Sequence, residues 1–444
     1  MKEKGVILPI FSLPSKYGIG DFGNEAYEFI DILSENNINY WQILPINACD
    51  KLPYAPLSYY ALDENYLSLD KLKEQGLIKN PKARDSGNRV VYDNFKVEYY
   101  KEAVNNFNEN AEYGKFIELK EINEYAEYMS TVSSESKKYY LVVQYMLYNQ
   151  WMDIMKYAHS KNVKIIGDMP MYPAFNSVET KCHPEYFQMN DGKFEFEAGT
   201  PPDSFSSTGQ RWGIPVYNVK NIKKDKYEYL VKRTSYYLKL FDKIRIDHFI
   251  GYDHFYKIPI GKFEEKGFYE DGVSYGFFDE LFKNKHIKVE DLIVEDLGNL
   301  REETIKLKER YGFMGQKMLQ STTDLENFFN VKNDTDVEEN VMLLPGNHDC
   351  RTLNSWYKLL SDEDKKKLQN CLKKYNCYYN EDINIGIIKY CFSSNAKIVM
   401  VTIQDILGLD DTARINVPGV NLAKNWSWKL TDFSTFKEKI KNFK

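Results

Sequence analysis

No stretch of this 444-residue sequence approaches the about 18 consecutive apolar residues of a transmembrane helix, so no membrane span is predicted. There is no CxxC pair, and the six histidines are not interleaved with the cysteines at zinc spacing. The six cysteines, at 49, 182, 350, 371, 377 and 391, read as free thiols, so a cytoplasmic location is expected. There is no surplus of positive charge; a formal net charge of -6 points away from nucleic acid as a partner. Internal repeats and low-complexity tracts are also missing. The opening stretch, MKEKGVILPIFSLPSKYG, has too short an apolar run for a signal peptide, is broken by Pro9 and Pro14, and lacks a cleavage site of small residues. It reads as a first strand.

Aromatic residues, by contrast, are plentiful at 15%. They suit either large cores or a site where sugar faces lie on rings. Eight short apolar runs recur: 5–10, 40–46, 163–170, 243–249, 291–297, 316–320, 340–349 and 397–405. Helical periodicity fills much of the space between them, at 24–37, 228–241 and 301–312, with Asp21 as a start signal and Gly312 as a stop. Alternating strands and helices predict an α/β fold, a (β/α)8 barrel spanning 1–444, with a doubly wound open sheet as the alternative. Two spacings exceed a simple crossover. Residues 51–135 are expected to form an inserted, mainly helical subdomain, and 169–225 a long loop region over the barrel mouth.

Polar residues end many of the runs: Asp168, Asp247, Glu295, His348, Asp349 and Asp405. A barrel gathers its chemistry at that end of its strands. In the stretch KIRIDHFIGYDHFYKIP, strand alternation puts Arg245 and Asp247 on one face and Ile244 and Ile246 on the other. Three carboxylates, Asp247, Glu295 and Asp349, fit glycoside chemistry: a nucleophile, a proton donor and a holder of sugar hydroxyls. Arg245 is expected to lower the pKa of Asp247, and crowding by Asp296 to raise that of Glu295. A metal site built from Asp247, Glu295, His348 and Asp349 is the rival reading of the same residues.

The sequence from residue 5 to about 430 resembles the 4-alpha-glucanotransferases (amylomaltase, or disproportionating enzyme) of glycoside hydrolase family 77. The likeness lies in GVILPIFSLPSKYGIGDFG (5–23), WQILPINACDKLPYAPLSYYALDENYLSLDKL (41–72), GDMPMYPAFNS (167–177), PPDSFSSTGQRWGIPVYN (201–218), RIDHFIGY (245–252), VEDLG (294–298), GFMGQKMLQ (312–320), IQDILGLDDTARINVPG (403–419) and NWSWKL (425–430). The resemblance implies Asp247 as nucleophile, Glu295 as acid/base and Asp349 as third carboxylate. It further implies that Arg245 and His348 bind the sugar at the cleaved bond, with Tyr54 beside it and Ser58 nearby. Asp203, Gln210 and Trp212 match the acceptor-side wall, and Asn416 lies in the family's ARxNxPG pattern. The implied reaction moves segments of α-1,4-glucan between maltooligosaccharides or starch-like glucans through a covalent glycosyl-aspartate. No metal or organic cofactor is expected.

The sequence departs from the family pattern at several places. Ile250 stands where the family has a second arginine. PGNHDCRT replaces TGTHDNDT, which puts Asn347, Cys350 and Arg351 in place of a threonine, an asparagine and an aspartate. Pro53 replaces the serine of SPY, and Asn176 an aspartate. Arg351 is a candidate to restore the charge missing at 250. Two other functions stay open: an α-glucan hydrolase using water at the same site, and a degenerate barrel that binds glucan without turnover.

Overall fold

The computed structural model describes residues 3–84, 86–202, 208–261, 266–298, 300–321, 340–379 and 382–443. Eight parallel strands form its central sheet. In chain order they are β1 (Glu3–Ile7), β2 (Tyr40–Gln42), β3 (Lys164–Met169), β4 (Lys243–Ile246), β5 (Leu292–Val294), β6 (Gly315–Met318), β7 (Val341–Leu344) and β8 (Ile398–Thr402). β1 pairs with both β2 and β8, and the ladder continues to β5 on one side and β6 on the other. A parallel bridge between Ile293 and Met314 closes the ring between β5 and β6. The fold is therefore a (β/α)8 barrel. Each of the eight apolar runs supplies one strand.

Strand alternation sorts residues between two cores. Outward residues such as Trp41, Ile165, Ile244, Ile246 and Val401 pack under the helices, while Ile7, Ile166, Ile293, Met342, Ile398 and Met400 fill the barrel. Three surrounding helices match the periodic stretches: α1 (Asn24–Glu35), α3 (Glu228–Leu240) and α4 (Glu302–Tyr311), with the long α2 (Lys137–Ser160) between the first two. Gly312 ends α4 in the left-handed region at φ 67°, where glycine carries no Cβ penalty. Asp21 does not cap α1; Gly23 holds that position, and Asp21 is instead buried in an ion pair with Lys96 at 2.9 Å. Gly167 lets β3 approach the layer outside it, since a Cβ there would stand 2.2 Å from the Phe241 ring.

Between β2 and α2 the described residues form four α-helices, Leu69–Glu74, Val97–Asn106, Ala111–Phe116 and Lys120–Val132. The 169–225 region is more ordered than a loop. Its strands Phe196–Thr200 and Gln210–Pro215 join His254–Pro259 and Phe268–Asp271 in a four-stranded antiparallel sheet. Gly199 makes this possible: a Cβ there would press to 2.2 Å of the Gln210 carbonyl. No helix among the described residues is long and apolar enough to cross a membrane.

Candidate active site

Arg245 points inward from β4, is fully buried, and gathers Asp168, Asp247 and Glu295 around it. Its Nη1 lies 2.7 and 2.9 Å from the two oxygens of Asp168 and 3.0 Å from Asp247 Oδ1. Its Nη2 lies 2.7 Å from Glu295 Oε1. The strand period explains the convergence. Asp168 follows inward Ile166 by two residues on β3, and Glu295 follows inward Ile293 by two on β5. Asp247 stands two beyond Arg245 itself. The planar fork of one arginine suits several carboxylates at once.

The loop after β7 supplies the opposite wall. His348 is buried, stacks on the Tyr54 ring at 5.3 Å and 13°, and brings Nε2 to 3.3 Å from Asp349 Oδ2. Asn416 Nδ2 donates to Asp349 Oδ1 at 2.7 Å, and Asn347 Oδ1 accepts from the Asp349 amide at 2.9 Å. Arg414 donates to the Asp349 carbonyl. From the loop after β2, the Tyr54 hydroxyl donates to Asp168 Oδ2 at 2.7 Å. Burial, with Asp168 alongside, holds that phenol well above its usual pKa, so it stays a donor.

Two electrostatic expectations are corrected. Arg245 does not leave Asp247 with a low pKa. Burial holds the Asp247 carboxyl well above the usual carboxylate range; Arg245 pulls it down, while Glu295, Asp168 and Asp349 push it up. One guanidinium shared among several carboxylates cannot hold all of them ionised. Asp296 does not crowd Glu295 either. Its carboxylate points away, accepting the Gln316 amide at 2.6 Å and pairing with Lys308 at 2.8 Å. The partners of Glu295 are Arg245 and the main-chain N–H of His248, which reaches Oε2 at 2.8 Å.

The remaining sequence candidates divide. Trp212 closes one side, edge-on to the His248 ring at 4.8 Å, and its indole N–H donates to Gln210 Oε1 at 3.2 Å. Ser58 is not brought to the cleft. It is buried, its hydroxyl accepts from the amides of Tyr60 and Ala61 and donates to Glu179, so it braces the turn that follows Tyr54. Asp203 lies outside the described residues. Asp405 lies past the end of β8, in the short helix Ile403–Leu407, as a structural group accepting the Leu353 amide at 2.7 Å; burial pushes its carboxyl up to about 6.

Arg351 is half exposed and pairs with Asp411, so its charge is engaged away from Ile250. Ile250 lies against Gly298 in the loop that follows Glu295. Cys350 is buried with Sγ 3.1 Å from Met318 Sδ, and burial pushes its thiol up to about 12. Sequence reasoning left out Asp168, His248, Arg414 and Trp426, the last of which packs on both Tyr54 and His348. Asp168 carried the signal that picked out Glu295, an acid ending an apolar strand, and was passed over for want of a role.

Known proteins resemble this chain over its whole length. The family model described as 4-alpha-glucanotransferase matches residues 8–138 and 130–435. The 4-alpha-glucanotransferase of Clostridium butyricum is 33% identical, covering 95% of each chain. That of Aquifex aeolicus is 31% identical over 99% of this chain and 98% of its own. Among solved structures, amylomaltase from Streptococcus agalactiae in complex with acarbose superposes with a TM-score of 0.90 at 27% identity, covering 99% and 98% of the two chains. Amylomaltase from Corynebacterium glutamicum, at 15% identity and TM-score 0.80, shares the fold; the match covers all of this chain and 75% of that one.

Proposed function

The chain belongs to the 4-alpha-glucanotransferase family, and from that premise we propose that it moves α-1,4-glucan segments between maltooligosaccharides by a retaining double displacement. The observation that carries this reading is the shared guanidinium: Arg245 bridges Asp247 and Glu295 at the barrel mouth. One planar group spanning both carboxyls keeps them near neighbours. That supports retention over inversion, which opens the gap to admit a water. A cation already at their centre also argues against a metal held by the same acids.

In the first step an oxygen of Asp247 attacks the anomeric carbon while Glu295 protonates the departing glycosidic oxygen. The same guanidinium contacts both carboxyls, so nucleophile and proton donor are held side by side. In the second step Glu295 takes the proton of an acceptor's 4-hydroxyl, whose oxygen displaces Asp247. Asp349, aimed by Asn416 and backed by His348, holds sugar hydroxyls. Asp168 and Tyr54 hold Arg245 in place from behind. The inserted helical segment of 51–135 delivers Tyr54, and the 169–225 region delivers Gln210 and Trp212 to the acceptor side. Six free thiols support a cytoplasmic site of action.

Incubation with maltotriose tests the reading. Transfer yields glucose together with maltooligosaccharides longer than the substrate. Glucose and maltose alone would assign the site to hydrolysis, and no turnover to glucan binding. Acarbose, bound in the streptococcal relative, is the expected competitive inhibitor.

A further inference from the structure

His248 follows the nucleophile candidate directly and holds its backbone at φ 50°, in the left-handed region. Histidine enters that region more readily than most side chains, yet the conformation still costs about 1–2 kcal/mol. Something must hold it there, and such residues cluster where function needs a fixed geometry. The turn achieves three contacts. The His248 N–H meets Glu295 Oε2 at 2.8 Å, the Phe249 N–H meets the Glu295 carbonyl at 3.2 Å, and the His248 carbonyl accepts from Gly251 at 2.9 Å. Gly251 also leaves room for the ring, since a Cβ there would lie 2.8 Å from His248 Cδ2.

We propose that His248 is a positioning residue: its left-handed backbone turns the main-chain N–H onto Glu295 and fixes the carboxyl that acts as acid and base. This rests on the role given to Glu295 above. Arg245 grips one carboxyl oxygen and His248 the other, so the plane of the carboxyl has no freedom to turn. The ring plays a separate part. It packs on Trp212, and burial lowers its pKa to about 4, so it is neutral above that pH. A neutral ring adds no charge to compete with Arg245 for the acid.

Three variants and two donors test this. With maltotriose the leaving oxygen needs a proton. With α-maltotriosyl fluoride the C–F bond breaks and fluoride departs with its electron pair, needing none. The quantity read is first-turnover cleavage of each donor. His248→Gly and His248→Asn keep the left-handed backbone and should hold the ratio of the two rates within about threefold of native. His248→Val, β-branched and excluded from that region, should lose about 10- to 100-fold on maltotriose and under about threefold on the fluoride. Its alkaline pH limb should also move. Equal losses for Gly and Val would overturn the proposal in favour of the ring, and a native ratio in the Val variant would overturn it without favouring the ring. If the Val variant does not fold, Gly and Asn still decide, because a skewed ratio in both defeats a backbone role. Glu295→Gln separates the premise: if it slows both donors alike, the acid role itself fails, whatever His248 does.

Discussion

The floor and the mouth of this barrel are made by the same strands, with the same alternation, two residues apart. Ile166 and Ile293 plug the interior; Asp168 and Glu295, the next inward residues, carry charge. The difference is what surrounds each level. At the floor an inward side chain meets only other strands, where an unpaired charge would be far costlier than an apolar group. At the mouth the same direction leads to Arg245 and to a cleft where the side chains of Asp247 and Glu295 keep 20% and 17% of their exposure. Alternation decides which residues point inward; height along the strand decides what chemistry they can hold.

The sharpest break in that comparison is Asp247→Asn. It should reduce transfer from maltotriose by about 10⁴-fold, as loss of a nucleophile does. The melting temperature should not fall, because burial already disfavours this carboxyl's charge. Transfer within tenfold of native would remove Asp247 from the reaction. Next comes Arg245→Ala, which strips the cation shared by Asp168, Asp247 and Glu295. Leaving buried carboxylates unpaired should cost about 3–5 kcal/mol and abolish transfer. That cost should shrink from pH 8 to pH 5, because protonation relieves the carboxylates that arginine no longer serves. A cost that ignores pH would make Arg245 a packing residue.

Much of this was legible in the sequence. The eight strands could be read from their apolar runs, and so could the positions of Asp247 and Glu295 just past β4 and β5, whereas Asp349 lies farther out, in the loop after β7. What sequence could not supply was direction and sharing. Asp296 adjoins Glu295 in the chain yet turns to Lys308, because strand alternation sends neighbours to opposite faces. Arg245 looked like the private partner of Asp247, two residues away; only packing of β3 and β5 against β4 makes it common to Asp168 and Glu295. The four-stranded sheet was hidden because its strands come from two distant stretches.

At the floor, Ile293→Ala should cost about 2–4 kcal/mol through the cavity it leaves, although its backbone is in register with Arg245. The folded fraction should keep its kcat within about threefold. A kcat collapse without unfolding would mean that the two levels are not separable. A smaller effect is expected below the Tyr54 loop. Glu179 is buried, takes the Tyr59 amide on one oxygen, and leaves the other without a partner. Burial pushes its carboxyl up to about 7. The folded chain therefore binds this proton more tightly than the unfolded chain, and stability falls as pH rises through about 7. Glu179→Gln should remove that loss, gaining about 2 kcal/mol at pH 8 and almost nothing at pH 4. Thermal unfolding at both pH values reads the sign directly.

The smallest expected effect concerns Arg351, the candidate to restore the charge missing at 250. Its guanidinium is held by Asp411, whose other oxygen accepts the Thr352 amide at 3.0 Å. Both partners are partly exposed, so the pair contributes at most about 0.5 kcal/mol, and salt screens it. Arg351→Ala should therefore leave transfer kinetics unchanged and move the melting temperature by no more than a degree or two. If transfer instead drops with the fold intact, Arg351 leaves Asp411 when substrate arrives and serves the mouth after all. If nothing changes, the arginine missing at Ile250 has no substitute among these residues. The mouth then works with Arg245 as the cation shared by Asp168, Asp247 and Glu295, while Ile250 packs near Gly298 without a charge.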